Sequence, residues 1–149
     1  MMNTKAIYFD MDGTIANLYG VENWLDDLVN KNTRPYEQAE VMVNMSSLAR
    51  ILNKLQKMGY TIGIVSWLAK NSNTEYDERV TKAKKEWLAK HLKSVNWNEV
   101  HIVKYGTPKQ TVVRYNQGIL FDDEVQNRDN WNGVAYDVNN IIEVLKGLE

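Results

Sequence analysis

The chain has 149 residues, 44% apolar and 25% charged, with a formal net charge of −1. This length suits one domain with a real core, and the near-neutral balance argues against the basic surface expected of a nucleic-acid or anionic-membrane binder. There is no cysteine, which excludes disulfide and thiolate chemistry.

Met1-Met2-Asn3-Thr4-Lys5 runs straight into an apolar stretch, leaving no room for a signal peptide. The longest apolar run, around Ile62 to Ala69, is too short to span a bilayer. A cytoplasmic protein with no membrane contact is expected. Residues 5–10 (KAIYFD) read as a buried strand ending at Gly13. Segment 14–46 is less regular. Leu18, Trp24, Leu25, Leu28 and Val29 suggest a helix that Thr33-Arg34-Pro35 breaks, and Val41 to Met45 are ambiguous. The segment is expected to be a small cap inserted over an active site within a single domain spanning residues 1–149. Leu48, Ile51, Leu52, Leu55 and Met58 recur at helical spacing, and Gly59 stops them.

Residues 60–66 (YTIGIVS) read as a second buried strand. Tyr76, Val80, Ala83, Trp87 and Leu88 form a helical stripe, opened by a capping-box pattern from Ser72 to Glu75. Lys82-Ala83-Lys84-Lys85 reads as a solvated face of that helix. Strands are expected at 99–103, 118–122 and 133–136. A last helix carries Ile141, Ile142, Leu145 and Leu148, with Asp137 as its cap. Alternating strands and helices predict an α/β fold: a doubly wound, Rossmann-like parallel sheet of about five strands with helices on both faces.

Polar residues gather at the C-terminal ends of these strands, where open parallel sheets bind ligands. They are Asp10 and Asp12, then Ser66, then Lys109, then Asp122 and Asp123. Carboxylates crowded together raise one another's pKa unless a cation sits among them. Oxygen ligands without nearby cysteine or histidine favour Mg²⁺ over zinc, and Mg²⁺ held this way commonly completes its shell with a phosphate oxygen. The pattern therefore points to phosphoryl chemistry. Lys104 competes with Lys109 for the basic role, being nearer its strand end. Glu124 reads as the cap of the following helix, whereas Asp123 reads as part of the metal site. His91 and His101 lie away from these groups.

Asp10-Met11-Asp12-Gly13-Thr14 after Ile7-Tyr8-Phe9 resembles the first motif of the haloacid dehalogenase-like superfamily. Ser66, Lys109 and Leu120-Phe121-Asp122-Asp123 resemble its second, third and fourth motifs in order. The segment from Lys109 to Asp123 is also similar to the 5'(3')-deoxyribonucleotidase branch. The resemblance implies that Asp10 attacks phosphorus and becomes an aspartyl phosphate, while Asp12 serves as general acid and then base. It implies Mg²⁺ bound by Asp10, the Asp12 carbonyl and Asp122. Asp123 would ligate through water or orient Lys109. Ser66 would hydrogen-bond the phosphoryl group, Lys109 would compensate charge, and Gly13 and Thr14 would add backbone and hydroxyl contacts.

Trp67, with Tyr19, Trp24, Arg34 and Tyr36, is a candidate lining of the leaving-group pocket. The expected substrate is a small phosphomonoester, with nucleoside monophosphates first. Alternatives are a receiver-like phosphoacceptor module, a catalytically silent binding protein on the same scaffold, a polynucleotide or protein phosphatase, and a phosphotransferase. A receiver would carry its acidic pair after strand one and its phosphorylated aspartate later, the reverse of the order here.

Overall fold

The computed structural model describes residues 4–149; Met1 to Asn3, with the part of the N-terminal reading that rests on them, lie outside the described residues. β1 (Ala6–Phe9) is followed by a short antiparallel ribbon, β2 (Ala16–Asn17) paired with β3 (Glu40–Val41). Between the ribbon strands lie α1 (Trp24–Val29) and α2 (Arg34–Gln38). Then come α3 (Met45–Lys57), β4 (Thr61–Trp67), α4 (Thr74–His91) and β5 (Glu99–Val103). The chain ends with β6 (Ile119–Phe121), α5 (Val125–Asn130), β7 (Val134–Tyr136) and α6 (Ile141–Lys146).

The main sheet has five strands in the order β5-β4-β1-β6-β7, and every neighbouring pair is parallel. This is the doubly wound α/β architecture that the alternating pattern predicts. β1 is central, so its four residues are buried on both faces and all are apolar in body. Ile7 and Phe9 pack with Leu48, Leu52, Leu88 and Leu145 from α3, α4 and α6. Ala6 and Tyr8 face the other way, against Val113, Leu120 and Trp131. Each such aliphatic or aromatic side chain contributes about 1.5–3 kcal/mol by leaving water.

The winding positions the site. From β1 the chain builds outward through β4 and β5, then crosses back to build β6 and β7 on the other side. Connections therefore diverge between β1 and β6, and a crevice opens above their C-terminal ends.

Several local expectations are corrected. α4 is capped by Asn73, whose side chain accepts from the Tyr76 amide, so the Ser72-to-Glu75 box does not form. Asp137 caps a single 3₁₀ turn, Val138–Asn140, that leads into α6. Met58 is largely exposed beyond the end of α3, while Gly59 makes the stop at φ 102°. α1 ends at its cap Asn30, before Lys31 at φ 58°, and Pro35 sits instead in the first turn of α2, where its fixed φ is suited. α1 forms where expected, but none of its residues is buried; Leu25 is 58% exposed and Val29 68%. Its apolar side belongs to a cavity rather than to the core.

Candidate active site

β1 ends because its apolar run ends. One more sheet bond follows, the Asp10 amide to the Phe121 carbonyl at 2.9 Å. The chain then turns sharply, with the amides of Thr14, Ile15 and Ala16 all donating to the Met11 carbonyl. Gly13 takes φ 81°, and a Cβ there would collide with the Asp123 carboxylate. Glycine is needed on both counts.

The turn places Asp10 against residues about a hundred positions later. Lys109 Nζ donates to Asp10 Oδ1 at 2.9 Å and to Asp122 Oδ2 at 2.7 Å. It is almost fully buried, whereas Lys104 is exposed, so of the two lysines Lys109 is the one the fold brings to the acidic cluster. Burial alone would pull the Lys109 pKa down, but Asp10 and Asp122 outweigh it and the net shift is upward. Thr14 Oγ1 donates to Asp10 Oδ2 at 3.0 Å. Thr14 is fully buried, so its hydroxyl braces the Asp10 carboxylate rather than facing a ligand. Asp122 also accepts from the Glu124 amide at 3.0 Å and from Asn127 Nδ2 at 3.1 Å. Glu124 occupies the cap position of α5, but its side chain makes no capping bond, contrary to expectation.

Lys84 was expected on a solvated face and is instead 1% exposed. Its ammonium donates to Asp12 Oδ2 at 2.9 Å, Ser66 Oγ at 2.7 Å and the Trp67 carbonyl at 2.7 Å. A signal was present: Lys84 falls four residues after Val80 and three before Trp87, on the buried stripe of α4. Ser66 lies at the same strand end as expected. It is fully buried, however, and its hydroxyl meets Lys84 rather than open space. Asn127 is the second residue that the motifs did not reveal.

Above these groups lies a cavity of about 450 Å³. Asp10, Asp12, Lys109 and Asp123 form its floor. Tyr19 and Trp24, packed edge to face at 4.9 Å, form one wall; Trp67 and Tyr105, also 4.9 Å apart, form another. Tyr36 lines it as well, but Arg34 does not: its guanidinium is paired with Asp27. Trp67 is held by a 2.8 Å bond from its Nε1 to the Thr107 carbonyl, with its ring 5.4 Å from Lys109 Nζ. His91 packs on Trp87 and His101 pairs with Glu99, both away from the cavity.

The chain is similar in fold to a sugar bisphosphate phosphatase. That protein is the D,D-heptose 1,7-bisphosphate phosphatase from Burkholderia thailandensis, at 8% sequence identity, with a TM-score of 0.60 over 97% of either chain. At that identity the likeness speaks to the fold alone. No protein-family model and no curated protein sequence matches the chain. No helix among the described residues is long and apolar enough to cross a membrane.

The acidic groups fit a hard divalent cation. Asp10, Asp122 and Asp123 each offer an oxygen, all within 4.8 Å of one another. The Asp12 carboxylate is turned to Lys84 and is not part of this group. Four carboxylates against two buried ammonium groups leave a charge of −2, which one divalent cation would cancel. The crowding shows in the acids. Burial and then the Asp10 charge push Asp122 up to about 6 and Asp123 up to about 8. Burial also raises Asp12, with Lys84 opposing.

A pH dependence follows. Carboxyls raised in the folded state stabilise it fully only below their unfolded pKa, and that contribution is lost as pH climbs through 6 and 8. His91, lowered by burial, acts in the opposite sense at mildly acidic pH. The clean readout is therefore the difference in Tm with Mg²⁺ and with chelator. It is expected to be small at about pH 5.5 and to grow steadily to about pH 8.5, as protons stop competing for the site. A difference independent of pH would show that these acids do not hold the ion.

Proposed function

We propose that the protein is a Mg²⁺-dependent phosphomonoester hydrolase of the haloacid dehalogenase-like type, working through an aspartyl phosphate on Asp10. One observation carries this reading: Asp10, braced by Lys109 and Thr14, stands at the crevice of a doubly wound sheet beside Asp12, Asp122 and Asp123, on the floor of a cavity of substrate size. The fold likeness to a phosphatase supports it.

A carboxylate oxygen of Asp10 attacks phosphorus as the bond to the leaving oxygen breaks, and Asp12 supplies the proton that this oxygen takes up. Water then attacks the phosphorus of the aspartyl phosphate, and Asp12 takes the water proton back. Phosphate departs and Asp10 is restored. Lys109 holds its charge beside both the nucleophile and the transferring group, where negative charge builds in the transition state. Mg²⁺ held by Asp10, Asp122 and Asp123 would neutralise phosphoryl oxygens.

Residues 14–46 act as a reduced cap, since Tyr19, Trp24 and Tyr36 from this segment line the cavity. The two aromatic pairs offer faces for a planar leaving group, so nucleoside monophosphates are the first candidates. An aromatic-lined cavity of this size suits a small ester better than the partner surface of a receiver. The test is a Mg²⁺-supplemented comparison of kcat/KM on nucleoside monophosphates, sugar phosphates, a 3'-phosphorylated oligonucleotide and phosphopeptides. The small esters are expected to win. A preference of about a hundredfold for either polymer would overturn the substrate class. Stable phosphorylation of the protein without turnover would overturn hydrolysis itself.

A further inference from the structure

Two buried lysines serve the site, one on its floor and one beneath it, and they do different jobs. Lys109 touches the nucleophile and faces the cavity. Lys84 touches neither a substrate position nor solvent. An ammonium group has three protons and no acceptor. All three are taken, by Asp12 Oδ2, Ser66 Oγ and the Trp67 carbonyl, and the ring of Tyr36 lies 5.3 Å from Nζ. A lysine this deep is costly to bury unless fully paired, so the site is built around it.

We propose that Lys84 is a positioning residue: anchored at the end of β4 by Ser66 and the Trp67 carbonyl, it holds the Asp12 carboxylate toward the leaving group. The proposal rests on the phosphohydrolase reading above. Asp12 lines the cavity, and its Oδ2 is committed to Lys84, so Oδ1 is the oxygen presented to a substrate. Without the lysine, a carboxylate on a turn would sample rotamers, and proton transfer depends on placement within a fraction of an ångström. Since an ammonium only donates, Ser66 Oγ must accept from it. Ser66, fully buried, is thereby tied to the same ion pair from the side away from the cavity.

A positioning role for the acid predicts dependence on the leaving group. An alkyl oxygen needs a proton as it departs; p-nitrophenolate scarcely does. Lys84→Met keeps the side-chain length and removes the donors. The rate of leaving-group release in a single turnover, which reads formation of the aspartyl phosphate, is expected to fall about 100-fold on an alkyl phosphate and less than about 10-fold on p-nitrophenyl phosphate, while hydrolysis of the aspartyl phosphate, which also uses Asp12, slows equally for both. Ser66→Ala should show the same split in weaker form and add little to Lys84→Met, because both act on one ion pair. Ser66→Ala deletes one small hydroxyl and carries the test alone if Lys84→Met does not fold. Equal losses in leaving-group release on the two esters, no loss in either step, or additive effects would overturn the proposal while leaving the phosphohydrolase reading intact. Wild-type protein that hydrolyses neither ester would instead overturn that reading, and this inference with it.

Discussion

Asp10→Asn is expected to cut kcat by about a thousandfold or more, equivalent to roughly 4 kcal/mol of barrier or more, while the protein still folds. The amide keeps the shape of the side chain. Its oxygen can still accept from Thr14 or Lys109, and Lys109 retains its bond to Asp122. What is lost is the proposed nucleophile and the charge of one of the three clustered carboxylates. Mg²⁺ affinity, read from the Tm shift, should therefore weaken as well. Asp12→Asn makes the control: its carboxylate lies outside the donor group, so it should lose turnover but keep most of the Mg²⁺-dependent Tm shift. Activity of Asp10→Asn within about tenfold of wild type would sink covalent catalysis.

Lys109→Met is expected to remove activity and also to destabilise the protein strongly. The ammonium is the shared partner of two buried carboxylates at 2.9 and 2.7 Å. Removing one partner of a buried ion pair costs about 3–5 kcal/mol, because the charges left behind have neither water nor a counterion. In a chain of this length that is a drop of roughly 10 °C in Tm. Part of the loss should return on adding Mg²⁺, which restores positive charge to the same acids. A Tm in chelator within about 2 °C of wild type would show that Lys109 is not what offsets those acids.

The layer architecture and the main acidic groups of the candidate site were legible in the order of the amino acids. Unbroken apolar runs such as Ala6 to Phe9 suit only a strand buried on both faces, and helical stripes between such runs force parallel crossovers. Polar residues at strand ends then fall into one crevice, as Asp10, Lys109 and Asp122 do. Their placement was legible because the backbone dictates it. The placement of side chains that reach across elements was not. Helical spacing sets Lys84, unlike Lys82 and Lys85, on the buried stripe of α4, but lysine belongs at the surface by default and the stripe does not say what Lys84 would meet. Only the docking of α4 beneath Asp12, 72 positions away, turns Lys84 into a buried partner. The same docking closes off Ser66 and turns its hydroxyl to the lysine. Arg34 is drawn to Asp27 instead of the cavity, and the apolar side of α1 is left to line that cavity. These outcomes depend on which charges and surfaces meet in space. Periodicity specifies the face a residue occupies; only tertiary packing specifies what that face touches.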